Sequence, residues 1–306
     1  MTKHIPVLLD DVLENLNIRD GHVYVDMTLG GAGHAIEILK RIPRGFLYGF
    51  DQDEYAIKKA KEKLSEFKNF RIIKDNFLNA KDRLEDIGVT KVDGILFDLG
   101  VSSFQFDIPE RGFSYKLDNP LDMRMDIDND LTAQIVINTF TEKELSDILF
   151  KYGEEKYARS IARNIIKARS EKKINTTFEL VEIIKKSMPF NELNKKGHPA
   201  KKTFQALRIA VNDELNVLEQ ALKDAIDMLA PKGRLAVITF HSLEDRICKQ
   251  IFHKYSTVEI PLGVPLIVDE KPLINLVNRK VIIADENELE INNRAHSAKL
   301  RIVEKN

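Results

Sequence analysis

An apolar run over 23–28 stops at Gly30-Gly31-Ala32-Gly33, and a helical pattern starts at once. Strand, glycine turn and helix in immediate succession constrain this chain more than any other feature. Glycine lets the backbone turn sharply and approach a ligand, because it has no Cβ to clash. The amides that open the following helix then point at whatever occupies the turn. Phe46-Leu47-Tyr48-Gly49-Phe50-Asp51 reads as a second buried strand. It closes on a carboxylate about twenty residues beyond the glycines, where nucleotide-binding α/β folds hold ribose hydroxyls.

The loop narrows the choice of ligand. Gly31-x-Gly33 is present, but Ile36 stands where a dinucleotide fingerprint needs its third glycine. No Gly-Lys-Ser/Thr follows, which argues against a nucleoside triphosphate loop. A cofactor that carries adenosine without phosphate, S-adenosylmethionine, fits better. A plain tight turn remains the alternative for the glycines taken alone.

Strand-like runs end near Thr28, Asp51, Asn76 and Leu99, with helical stretches at 35–41, 54–67 and 79–87 between them. That alternation predicts a mostly parallel sheet covered on both faces, an α/β class. The pattern resumes only at a helix over 213–229 and a strand over 234–240, more than a hundred residues on. A connection that long is an inserted domain. Its periodicity is helical over 132–139, 142–152, 155–170 and 177–187, and Thr141 with Glu144 forms a capping box. Two further strands, at 280–284 and 298–304, are expected to form an antiparallel edge pair.

The net charge is −1, yet charge is unevenly spread. Between Lys151 and Arg208 there are fifteen Lys or Arg against six Asp or Glu, whereas Asp118 to Asp130 holds five Asp and one Arg. Lys156, Arg159, Arg163 and Lys167 fall on one helical face, a basic stripe suited to a polyanion or, on the plainer reading, a solvated surface. One cysteine, Cys248, excludes an internal disulfide and suits a reducing cytoplasm. The opening residues lack a signal-peptide core and no run has membrane-spanning length, so a cytoplasmic protein with no membrane partner is expected. The histidines are scattered and no cysteine set exists, so no metal site is expected.

Asp98 closes the fourth apolar run, where a buried carboxylate needs a partner or a ligand. Asp75-Asn76-Phe77 ends the third, offering a polar edge and a ring to adenine; core packing is the competing reading of Phe77. After the fifth, His241 to Arg246 forms a polar cluster in which Ser242 and Asp245 suit a helix start, and His241 reads first as a satisfied core histidine.

These segments resemble the RsmH (MraW) family of methyltransferases that modify small-subunit ribosomal RNA. The matching motifs run from His4-Ile5-Pro6-Val7-Leu8-Leu9 through Val25 to His34, Phe97 to Gln105 and Glu110-Arg111-Gly112-Phe113-Ser114. They continue through Asn119 to Asp126, His198-Pro199-Ala200, Thr203 to Asn212 and Phe240 to Arg246. The resemblance implies a class I methyltransferase domain at 1–112 and 209–306, with a helical substrate-recognition domain at 113–208. It also implies methylation of the exocyclic N4 of cytidine 1402 (standard rRNA numbering) in 16S rRNA. Carried over by position, the cofactor contacts are Ala32, Gly33, His34, Asp51, Phe77, Asp98 and Gln105. Asp98 and Ser102 are the expected catalytic residues, in a 98–103 segment that supplies acceptors to the N4 hydrogens. Arg111, Arg124 and the basic stripe are expected on RNA phosphates, and a homodimer is compatible with this picture. Two departures from the family pattern occur, Lys201-Lys202 and Arg294-Ala295-His296-Ser297. A dinucleotide-dependent oxidoreductase and a non-catalytic RNA-binding factor are the competing classes.

Overall fold

A computed structural model describes residues 5–101, 105, 108–258 and 271–306. Contacts divide the chain into two compact units, Met1–Gly100 with Leu215–Asn306, and Val101–Glu214.

The first unit is built on seven strands: β1 (Val23–Asp26), β2 (Phe46–Asp51), β3 (Phe70–Lys74), β4 (Val92–Asp98), β5 (Leu229–Thr239), β6 (Ile274–Leu276) and β7 (Lys299–Lys305). Their order is β3-β2-β1-β4-β5-β7-β6. β1 to β5 run parallel, and β7 is antiparallel to both its neighbours. Side chains alternate between the two faces. Leu96 packs on one side with Ile38, Leu39, Ala236 and Ile302. Ile95 and Phe97 pack on the other, with Leu222, Ile226, Val237 and Phe252. Each large side chain so buried contributes about 1.5–3 kcal/mol, which explains why the central strands read as continuous apolar runs.

The order reverses between β1 and β4. In α/β sheets ligands bind outside the carboxyl ends of the strands at such a reversal.

The second unit is helical among its described residues, with Ala133–Thr139, Glu142–Gly153, Ala158–Glu171, Thr177–Lys186 and Lys201–Asn212 around one core that includes Ile161, Leu180 and Phe204. The Thr141 capping box is present, and Thr176 forms a second with Glu179. The helix Lys201–Asn212 was legible only as a motif, since Ala200 stands at its N-cap and no side chain caps its start.

Two strand expectations need correction. β5 begins at Leu229, five residues early, because Val92 pairs Leu229 and Gly94 pairs Arg234 across a bulge. Lys232 in that bulge has φ 66°, so Pro231-Lys232-Gly233 interrupts the strand without ending it. The edge partner of β7 is β6, whereas 280–284 contributes a single bridge, Ile282 with Leu300. The cause is Asn278, whose amide replaces backbone pairing: Nδ2 donates to the Leu300 carbonyl at 3.0 Å and Oδ1 accepts from Ile302 N–H at 2.7 Å. Asn278→Ala leaves the Ile302 N–H without its acceptor, while the Leu300 carbonyl keeps the Ile282 N–H, and should destabilise the fold by about 1–2 kcal/mol, read by urea denaturation.

Candidate functional site

Three carboxylates stand at the carboxyl ends of adjacent strands: Asp26 on β1, Asp51 on β2 and Asp98 on β4. Each follows an apolar run that the sheet buries, so each is carried into a place where charge is costly.

Asp51 closes the glycine turn. Its Oδ2 accepts the Gly30 N–H and its Oδ1 the Asp53 N–H, both at 2.8 Å. Burial pushes its carboxyl up to about 6 despite those amides. The turn itself is tight, with Gly30 at φ 48° and Ala32 at φ 59°. A left-handed alanine costs roughly 1–2 kcal/mol, held here because Ala32 is fully buried and its N–H donates to the Leu29 carbonyl. No side chain caps the helix Gly33–Arg41, so its first amides are left for a ligand.

Ile5 to Leu8 lie over this turn. A Cβ on Gly33 would sit 2.5 Å from Pro6 Cγ, so only glycine lets the two segments meet. Asn292 Nδ2 donates to the Ile5 carbonyl, and Leu8 N–H donates to Glu288 Oε1. His34 is buried with Nε2 3.0 Å from the Val7 carbonyl, so that nitrogen carries the proton. Burial holds the imidazole below its usual pKa, and Nδ1 lies 3.8 Å from Asp98 Oδ2.

Asp98 is the most telling residue. Its backbone N–H donates to Thr28 Oγ1 at 2.6 Å, fixing β4 against the turn. Its Oδ1 is buried with no hydrogen-bond partner. An acceptor left this way costs about 1–3 kcal/mol or more, which a donor on a bound ligand relieves. Half-buried Phe77 opens the turn after β3, its ring edge-on to Phe97 at 5.4 Å. The structure therefore brings together Ala32, Gly33, His34, Asp51, Phe77 and Asp98 on one edge of one unit. Gln105 is buried in the other unit, and Ser102 lies outside the described residues.

Asp26 was not singled out from the sequence, although the rule that flagged Asp98, a carboxylate ending an apolar strand, applies to it equally. Its Oδ1 accepts the Thr28 N–H at 3.1 Å. Burial, with the charges of Asp98 and Asp51 adding, pushes its carboxyl up to about 7. Such an acidic edge disfavours pyrophosphate and favours a cationic ligand. S-adenosylmethionine fits: a ribose for Asp51, a carboxylate for the uncapped amides, and positive charge for Asp26 and Asp98.

Other expected residues have structural work. His241, with Glu244 rather than Ser242 with Asp245, forms the capping box of the helix Ser242–Tyr255. Asp245 instead pairs Arg301 at 2.7 Å and Lys299 at 3.4 Å. Arg124 holds Asp122 and donates to the carbonyls of Ile127 and Asn129. Arg111 donates to the carbonyls of Arg124 and Met125. The two arginines thus hold the segment 122–129 together, Arg124 from within the acidic stretch and Arg111 from before it. Of the basic stripe, Arg159, Arg163 and Lys167 are exposed on Ala158–Glu171. Lys156 precedes that helix and pairs Glu192 at 2.7 Å.

Strand order, the reversed seventh strand and a carboxylate-rimmed glycine turn define a class I methyltransferase fold with a helical insertion. The whole chain, residues 1–306, matches the MraW methylase family, and it belongs to that family. It is 53% identical over 311 residues to a ribosomal RNA small subunit methyltransferase H of Lactobacillus johnsonii, covering 99% of each chain. It is 55% identical over 307 residues to its namesake in Finegoldia magna, covering 99% of this chain and 98% of that one. Among the described residues, no helix is long and apolar enough to cross a membrane.

The raised Asp26 pKa has a consequence for stability. Between its usual 3.8 and about 7 the unfolded carboxyl ionises while the folded one keeps its proton. The native state's advantage is full below that window and lost as pH rises through it. Asp26→Asn, which keeps an acceptor for Thr28, should therefore raise apo stability at pH 8 by roughly 1–3 kcal/mol. Denaturation of both proteins at pH 4 and pH 8 checks this, with the difference shrinking at pH 4.

Proposed function

We propose that this chain transfers a methyl group from S-adenosylmethionine to the exocyclic N4 of cytidine 1402 in 16S rRNA of the small ribosomal subunit. The observation that carries the reading is the partnerless buried Oδ1 of Asp98, at the strand ends that also present Asp26 and Asp51. Full-length kinship to ribosomal RNA small subunit methyltransferases supports it. When bound, the cofactor supplies a methyl group activated on a sulfonium.

Asp51 holds the ribose hydroxyls and Phe77 packs against the adenine. The Gly33 and His34 amides take the cofactor carboxylate, and Ala32 completes the contacts. The cytosine N4 lone pair is delocalised into its ring, so the nitrogen is a poor nucleophile. Asp98, Ser102 and the carbonyls of 98–103 accept the N4 hydrogens, drawing the nitrogen toward tetrahedral geometry. They would also take up the positive charge that develops on N4, and the Asp98 carboxylate would accept the proton released from it. Segments 1–112 and 209–306 act as the methyltransferase domain, and 113–208 recognises RNA through Arg159, Arg163 and Lys167. The enzyme works in the cytosol, as a monomer or a homodimer, which sedimentation distinguishes. The target base must be unstacked to reach the pocket.

The decisive experiment uses small subunits from cells lacking the gene, incubated with the protein and isotopically labelled S-adenosylmethionine. Labelled N4-methylcytidine at position 1402, read by mass spectrometry of digested rRNA, is the expected result. No label despite cofactor binding would promote the non-catalytic reading. Asp98→Ala should abolish turnover; calorimetry of cofactor binding beside it separates the two roles of that carboxylate. Charge reversal at Arg159 and Arg163 together should raise KM for subunits about tenfold or more and flatten its salt dependence.

A further inference from the structure

The helical unit contains a cleft of its own, about 150 Å³, lined by Phe113, Tyr115, Lys201, Phe204, Gln205 and Arg208. A cavity of about this size admits a benzene ring, and its walls are suited to a flat ring. Tyr115 stacks on His198 at 4.4 Å and 11°, and meets Phe204 edge-on at 5.6 Å. The step is thus stiffened from two sides. Arg208 is held flat by a two-point pair with Glu214, Nε to Oε1 and a terminal nitrogen to Oε2, each 2.8 Å. Gln205 Nε2 donates to the Tyr152 carbonyl at 3.1 Å, which fixes the amide and leaves its oxygen as the acceptor. Positive charge lies near the stack: burial, with Lys185 and Lys116 adding, holds His198 below its usual pKa, and Lys201 is exposed on the wall.

Fixed aromatic faces, a guanidinium plane, one oriented amide and a basic rim are the parts with which proteins hold single bases of an RNA strand. We infer that this cleft grips one unpaired nucleobase of the substrate RNA, a base other than the one methylated. The inference rests on the RNA-substrate reading above. None of the lining residues belongs to the carboxylate-rimmed pocket, so the cleft is a second point of attachment. Lys201, exposed at its edge, supplies a phosphate contact.

The test uses the full-length protein and small subunits lacking the modification. Base-specific chemical probing of 16S rRNA should show one unpaired base, distinct from the acceptor, protected by the wild type. Tyr115→Ala and, separately, Gln205→Ala should lose protection at that base alone, while Tyr115→Phe keeps it. KM for subunits should rise about tenfold in Tyr115→Ala, with kcat and cofactor affinity little changed. A footprint that is unaltered, uniformly weakened or absent would overturn the cleft's role. Methylation is read in the same reactions by mass spectrometry, so label without a base-specific footprint change sinks this inference and leaves the function standing. Gln205→Ala keeps the aromatic step, so a misfolded Tyr115→Ala, visible as a lowered Tm, does not decide the matter.

Discussion

The turn between β1 and the helix Gly33–Arg41 is closed by one carboxylate, and the rest of the cofactor edge depends on it. Asp51 accepts the Gly30 N–H from the neighbouring strand's end, so β2 and the glycine loop cannot move apart. Asp98 is tied to the same loop through Thr28, and His34 ties it to Val7. A ligand pocket held this way is preorganised, which spares the ordering cost that binding otherwise meets. The hydrogen bonds do not fully offset the desolvation of their carboxylates, as the raised pKa values of Asp26 and Asp51 record. The edge therefore carries unfavourable electrostatics that a positive charge relieves.

The helical unit uses charge in the opposite way. Arg111 and Arg124 thread a segment with little regular structure, satisfying its carbonyls and Asp122. Asn212 ties that segment to the helix Lys201–Asn212, donating to the Met123 carbonyl and accepting the Met125 N–H. Internal arginines serve folding here, while Arg159 and Arg163 on the helix Ala158–Glu171 face solvent. The same residue type thus has two fates, decided by whether carbonyls or solvent surround it.

Much of this was legible in the residues. Strand runs buried on both faces, the Thr141 capping box and the carboxylates Asp51 and Asp98 all follow from local pattern, because burial and capping leave period and spacing behind. Asp26 was equally legible and was passed over. The β6 edge was not legible: three residues are too few for periodicity, and the Asn278 side chain imitates backbone pairing that a pattern of apolar residues cannot register. The His241 cap was hidden for a related reason, since histidine seldom fills that position and Ser242 beside it suits it better.

The sequence by itself determined the α/β class, the insertion and the chemistry available at the strand ends, because each rests on contacts close along the chain or on residue type. Only the tertiary structure decided which carboxylate oxygen of Asp98 lacks a partner, which arginines are consumed internally, and that Tyr115, His198 and Phe204 form one aromatic step. Those facts depend on segments distant in sequence meeting at ångström separations, where hydrogen bonding and desolvation change steeply with distance. Periodicity carries no record of such meetings.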